Sequence, residues 1–236
     1  MCDICGDRGI VQVECTTFKI CDCMVKRKIL NKFKDSKLSK QMLSSSFANF
    51  NYDYYKKNIV YIKKAVQLAQ DFANSVVNGQ ATDGLMLTGR AGHGKTYLAC
   101  CIANVLIRKN IATLFTVVPD LLDQIKSTYN KGEGQPEYNE KDLLDTAREV
   151  QVLILDDLGA HQYTEWAQGK LFTILNHRIN FNLPTVITTN LDLKDMDKTI
   201  GERAASRIIQ LCQPIKIEAD DDIRMQKRLA KWNDAT

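Results

Sequence analysis

From residue 84 to residue 217 the chain alternates short apolar runs with longer stretches whose apolar residues return every three or four positions. Residues 85–88, 113–118, 152–157, 184–190 and 215–217 are the runs, and their length and β-branched content predict strands. Pro119 is expected to end the second of them, with Asp120 opening a helix that turns Leu121, Leu122 and Ile125 inward. Further helices are predicted over 97–107, which is apolar nearly all round, and near 141–148, after a surface loop at 131–136. Another starts at Thr164 or Glu165 with Ala167, Leu171, Ile174 and Leu175 inward, and another spans 200–208. A last helix follows Asp220, Asp221 and Asp222, acids that suit a helix N-terminus. Ahead of all these, Ile62, Ala65, Val66, Ala69, Phe72, Ala73 and Val76 share one helical face that Asn78-Gly79 ends. Strands alternating with helices predict an α/β fold, a parallel sheet sandwiched by helices.

The first fifty residues follow a different pattern. Two short strands, 11–14 and 18–20, lie between a Cys2-x-x-Cys5 pair and a Cys21-x-Cys23 pair. Two close cysteine pairs separated by a modest loop have the spacing of a tetrahedral zinc site, and Gly6 and Gly9 permit the turn that aims both sulfurs of the first pair at one ion. Cys15 is a spare thiol that could replace one of the four. So short a segment cannot build its own apolar core, which favours a structural metal. Residues 26–40 are rich in Lys and Arg, and residues 42–51, with a Ser-rich break at 44–46, read as a linker into the main domain. The expected division is therefore a zinc-binding module at 1–25, a basic helical linker at 26–55 and the main domain at 56–236.

Composition narrows the setting. With 44% hydrophobic and 25% charged residues, the 236-residue chain fits one full core and a small appendage. It holds no apolar run long enough for a membrane span, and its first residues lack signal-peptide order, so a cytoplasmic location is expected. Eight cysteines in such a compartment point to metal ligands or buried thiols. The net charge of +4 is uneven: residues 1–80 hold 13 Lys and Arg against 7 Asp and Glu, or +6, which leaves −2 for the remainder. That asymmetry suggests for the N-terminal part a partner different from the one the main domain handles. The basic run reads as a solvated helix face or as a contact for nucleic-acid phosphates or an acidic protein surface.

The chemistry sits after the first core strand. Gly89-Arg90-Ala91-Gly92-His93-Gly94-Lys95-Thr96 fits the phosphate-loop pattern, with a strand before it and a helix from Tyr97 after it. The glycines let successive N–H groups point at one anion, and the helix N-terminus adds partial positive charge there. Lys95 is expected to reach the β- and γ-phosphates of ATP, and the Thr96 hydroxyl to take a place on Mg²⁺. Some sixty residues later the strand at 152–155 ends in Asp156 and Asp157, the first placed to hold Mg²⁺ and the second to orient an attacking water. Asn190 closes the next strand, within reach of the γ-phosphate or that water. Arg203 and Arg207 lie four apart on one helix face. His93, His161 and His177 show no metal-ligand spacing.

The order Gly-Arg-Ala-Gly-His-Gly-Lys-Thr, Leu-Ile-Leu-Asp-Asp-Leu-Gly, Ile-Thr-Thr-Asn, Gly-Glu-Arg-Ala-Ala-Ser-Arg-Ile and a late Asp-Ile-Arg resembles the AAA+ bacterial helicase loaders of the DnaC/DnaI type. The likeness covers about residues 47–228, and IstB-type transposition ATPases share most of it. It implies a P-loop NTPase fold and an ATPase whose nucleotide contacts are Gly89 to Thr96, Tyr97 and Arg224. It further implies a Walker B pair at Asp156 and Asp157, a sensor at Asn190, and an arginine finger at Arg207, with Arg203 second, reaching a neighbouring subunit. The loop His161-Gln162-Tyr163 sits where such proteins contact single-stranded DNA. The cysteine pairs ahead of a basic run resemble loaders with a zinc-bearing N-terminal domain. The implied partners are a hexameric replicative helicase, single-stranded DNA and further copies bridged by ATP. Asp157 stands where many AAA+ proteins have Glu, which implies slow turnover, and little chain follows residue 217 to form a lid. A transposition ATPase on duplex DNA and a small-metabolite kinase are the other readings. The zinc module and the Gly-Glu-Arg-x-x-x-Arg helix favour the loader.

Overall fold

The computed structural model of the chain describes residues 4–6, 8–14, 17–21, 24, 44–129, 139–160 and 162–233. Among these, five strands form one parallel sheet: β3 (Gly84–Thr88), β4 (Thr113–Val117), β5 (Val152–Leu158), β6 (Thr185–Thr189) and β7 (Cys212–Lys216). Their order is β4-β5-β6-β3-β7, so β6 lies between the strand that feeds the phosphate loop and the strand that ends in the two carboxylates. That interposition decides which residues meet at the site.

Both faces of the sheet are covered, which is why its strands read as unbroken apolar runs. Leu85, Leu87, Val152 and Ile154 point to one side, against α1 (Ile59–Val77) and α2 (Lys95–Arg108). Met86, Leu153, Leu155 and Ile187 point to the other. There they meet α3 (Val118–Ser127), α4 (Glu140–Glu149), α5 (Glu165–Asn180), the short α6 (Met196–Ile200) and α7 (Glu202–Leu211). The seven inward residues expected of α1 are the seven that it buries. A final helix, α8 (Ile223–Asn233), buries none of its residues.

Several boundaries differ from the periodicity. Pro119 sits in the first turn of α3 and helps to open it, because its fixed φ and missing N–H cost nothing there. The helix after the phosphate loop begins at Lys95, two residues before the apolar stretch, since Gly94 already serves as its N-cap. Gly201, at φ +85, separates α6 from α7 within what reads as one segment. The last strand starts at Cys212, three residues earlier than its apolar pattern.

Residues 47–58 form two 3-10 turns, Phe47–Asn49 and Tyr52–Asn58, packed on the core. Phe50 and Tyr55 are buried among the residues of α1 and α2, so this stretch is a strap over the domain and not a free linker. Near the N-terminus β1 (Ile10–Glu14) and β2 (Thr17–Ile20) pair antiparallel, with Ile10 opposite Ile20. Among the described residues no helix is long and apolar enough to cross a membrane.

Candidate nucleotide site

The phosphate loop is shaped by contacts that its own motif does not contain. Gly89 has φ +142, and a Cβ there would lie 2.1 Å from the Ile217 carbonyl oxygen, so only glycine fits beside the end of β7. Gly94 has φ +91, and a Cβ would lie 2.3 Å from the Tyr55 hydroxyl. That hydroxyl donates to the His93 carbonyl at 2.9 Å. Ala219 N donates to His93 Nδ1 at 3.3 Å and Ile223 N to the Gly92 carbonyl at 3.1 Å. The loop is thus clamped by the N-terminal strap on one side and the segment after β7 on the other. Beside it opens a cavity of about 630 Å³, a volume suited to a small molecule, lined among others by Phe50, Tyr54, Thr96, Tyr97 and Arg224. Tyr97 turns its ring edge to Phe50 and donates to the Ser46 and Asn49 carbonyls, both at 3.3 Å. Arg90 and Ala91 are exposed at the loop tip.

Lys95 Nζ donates to the Gly89 and Arg90 carbonyls, both at 2.8 Å, and to Asn190 Oδ1 at 2.6 Å. Burial pulls its ammonium down to about 8, while Asp157 and Asp156 pull the other way. Thr96 Oγ1 donates to Asp156 Oδ1 at 2.9 Å. Thr188 Oγ1 donates to the same carboxylate oxygen at 2.7 Å and accepts from Asp157 N at 2.9 Å. Asn190 Nδ2 donates to Asp157 Oδ1 at 3.2 Å. A closed circuit results: Lys95, Asn190, Asp157, Thr188, Asp156, Thr96, and back along α2 to Lys95. Asp156 is buried, and burial raises its pKa, although the Thr188 and Thr96 hydroxyls oppose that. Asp157 holds φ +58, unusual for a residue with a Cβ, at a register shift in the pairing of β5 with β6. The shift lets consecutive residues aim both carboxylates into the cavity.

The hydroxyl of Thr96 and the carboxylate of Asp156 touch, so a hard divalent cation would find two oxygen donors there. Thr188 and Tyr55 carry much of the geometry and were not anticipated. The polar Thr-Thr-Asn end of the strand was a signal for Thr188; Tyr55 had none, lying in the presumed linker.

The remaining candidates are more dispersed. Arg224 lines the cavity. Arg203 and Arg207 lie elsewhere, both over the Phe172 ring at 5.3 and 5.8 Å, with Arg207 Nη1 donating to Gln210 Oε1 at 3.0 Å. Of the loop expected to face DNA, His161 lies outside the described residues and Gln162 is exposed. Tyr163 is buried, its hydroxyl accepting from Gly159 N at 3.1 Å, so it belongs to the wall and not to a DNA-facing surface. Of the cysteine set, Cys2 and Cys23 lie outside the described residues, as do Cys15 and the basic run at 26–40. Cys5 and Cys21 are buried at the open end of the β1–β2 hairpin, where Cys21 N donates to the Gly9 carbonyl at 2.9 Å. Gly9 N donates to Cys5 Sγ at 3.4 Å. No group of three or more potential metal ligands occurs among the described residues.

The crystal structure of DnaI aligns with a TM-score of 0.59 at 31% identity, covering 78% of this chain and 93% of that one. That of the DnaC helicase loader gives 0.58 at 27% identity, over 73% and 98%. The replicative helicase loader DnaI of Bacillus subtilis is 26% identical over 219 residues, 85% of this chain and 67% of its own length. The model of the IstB-like ATP binding proteins matches residues 23–230, and the chain belongs to that family.

Proposed function

We propose that the chain is an ATP-dependent loader that binds a hexameric replicative DNA helicase and delivers it onto single-stranded DNA. The observation that carries this reading is the closed hydrogen-bonded circuit from Lys95 through Asn190 and Asp157 to Asp156 and Thr96, on a chain similar to proteins named helicase loaders. Lys95 and the loop N–H groups bind the β- and γ-phosphates of ATP, and Arg224 adds a cation from the same subunit. Thr96 and Asp156 hold Mg²⁺, which would offset charge on the phosphates. Asp157 orients the attacking water with a side chain one methylene shorter than Glu, so hydrolysis is slow. Arg207, with Arg203 beside it, serves the site of a neighbouring subunit.

The N-terminal part is assigned to docking. Cys2, Cys5, Cys21 and Cys23 hold structural Zn²⁺, a reading supported by the two buried sulfurs at one hairpin end and by the N–H directed at Cys5 Sγ. Elemental analysis of protein purified without chelator then gives about one zinc per chain; a content near zero rejects the module. Residues 1–25 and the basic stretch after them bind the helicase, and the domain that follows handles ATP and DNA. The test is capture of purified replicative helicase with and without ATP, alongside a transposase. Helicase retained by the full chain and lost on removal of residues 1–40 supports the loader. Retention of the transposase alone would transfer the assignment to transposition.

A further inference from the structure

Helix α8 has three faces. Ile223 and Gln226 turn toward the domain; Ile223 packs on the core, and its N–H holds the Gly92 carbonyl. Arg224, Lys227, Arg228 and Lys231 fall within about 100° of arc, and Met225, Leu229 and Trp232 within about 60° beside them, at 100° per residue. All of these seven are exposed, Trp232 by 57%. The helix carries no acidic residue, and none of its four cations is in an ion pair among the described residues.

Such a stripe works against the fold. Arg224 with Arg228 and Lys227 with Lys231 are like-charge pairs four apart, which destabilise a helix. Arg224 also lies in the first turn, where the helix dipole disfavours cations. Lys227 lies over the Tyr54 ring at 5.9 Å and Asp222 caps the start of the helix. Among the described residues, however, no carboxylate pairs with the stripe, which leaves its cations for an external anion. A groove of about 350 Å³ runs along it, lined by the four cations and Trp232. Arg228 lies 5.1 Å from the Trp232 ring centroid. Met225 and Leu229 stay outside the groove lining. A protein or lipid partner would use the apolar stripe of Met225, Leu229 and Trp232; the groove instead offers the indole and the aliphatic stems of four side chains that end in cations. That pairing matches phosphates and the face of an unpaired base, the two things that a single strand presents together. A duplex offers the phosphates with its bases stacked away.

We propose that α8 is a binding site for single-stranded DNA, with Arg228 and Lys231 on the phosphates and Trp232 stacked on a base. This rests on the reading of the chain as a protein that handles single strands, and it names where. Arg224 and Lys227 line both this groove and the nucleotide cavity, so the strand would lie directly beside bound ATP.

The chain has two tryptophans, so Trp166→Phe leaves Trp232 as its sole indole reporter. Titration of that full-length variant with an unlabelled twenty-residue oligo-dT is expected to quench Trp232 emission, and duplex of the same length to bind without quenching. In a Trp166→Phe background, Arg228→Glu with Lys231→Glu should weaken oligo-dT binding at least tenfold. It should also flatten the salt dependence by about two in log–log slope, with fluorescent ATP binding unchanged. Trp232→Ala should weaken binding about tenfold while keeping the slope. Oligo-dT binding with unchanged Trp232 emission and no loss in the double variant overturns the site while leaving strand binding intact. A chain that binds no oligo-dT at any salt overturns the underlying reading too. A Trp232 response to anionic vesicles or to chain concentration, with none to oligo-dT, assigns the helix to lipid or protein and rejects the proposal.

Discussion

In the proposed nucleotide site, Lys95 is the side chain that meets the phosphates. Its ammonium rests on two carbonyls and the Asn190 amide oxygen, neutral acceptors in a niche that burial makes costly for charge. A triphosphate beside it favours the charged form and lifts its pKa from about 8. Between pH 8 and the ordinary lysine value of about 10.4, ATP binding should therefore take up a proton and weaken as pH rises. Calorimetry in buffers of different ionisation heat should show uptake at pH 9 and little at pH 6.5; no uptake at pH 9 would disprove the mechanism. Thr188→Val tests the other half of the circuit, since it removes the bonds to Asp156 and Asp157 N with little change of volume. Turnover should fall about tenfold to a hundredfold with ATP affinity nearly kept, and equal loss of both would mean that Thr188 only supports the fold. The motif residues were legible because a phosphate loop is local in sequence. Thr188 and Tyr55 were not, because their roles depend on β6 lying between β3 and β5 and on the strap crossing the loop.

At the level of elements, Arg178 joins three pieces of the molecule. It is fully buried on α5, and its guanidinium donates to the Ala147, Arg148 and Val150 carbonyls at the end of α4. It also donates to the Pro184 carbonyl and Thr185 Oγ1 at the start of β6, both at 2.7 Å. Burial lowers its pKa to about 9, so it stays a cation at neutral pH, and carbonyls at a helix C-terminus suit that charge. Arg178→Met fills much of the space but leaves those carbonyls without donors, at a cost of about 3–5 kcal/mol. For a domain of this size the melting temperature should drop by roughly 10 °C, and a change within 2 °C would show that water replaces the guanidinium. Leu171, Ile174 and Leu175 made the inward face of α5 readable, and residue 178 continues the same spacing. A cation on an apolar stripe was thus a visible anomaly with no visible partner. The strap at 47–58 was hidden for another reason: 3-10 turns carry no 3.6-residue period, and the preceding serines imitate a linker.

For the whole molecule, the question is where the second phosphate-facing cation comes from. Arg224 is on the cavity wall, but Arg203 and Arg207 stand on α7 over Phe172, outside that wall. Both guanidinium groups lie over one ring, and among the described residues neither pairs with a carboxylate, an arrangement suited to meeting an anion on another molecule. If the proposed assembly is head-to-tail and brings this helix to the cavity mouth of the next subunit, ATP links neighbours. By analogy with arginine fingers of GTPases, such a cation is worth about 10³–10⁵ in rate. Arg207→Ala should accordingly bind ATP nearly as well as the parent chain, hydrolyse it poorly and assemble weakly. Lys95→Ala should lose binding but still present its own arginines. Each variant alone is nearly inactive, yet in a mixed assembly some interfaces pair an intact Lys95 with an intact Arg207. Activity should partly return and peak at an intermediate mixing ratio. If mixed assemblies form, as judged by co-purification of differently tagged chains, and no ratio restores turnover, the arginine acts within its own subunit.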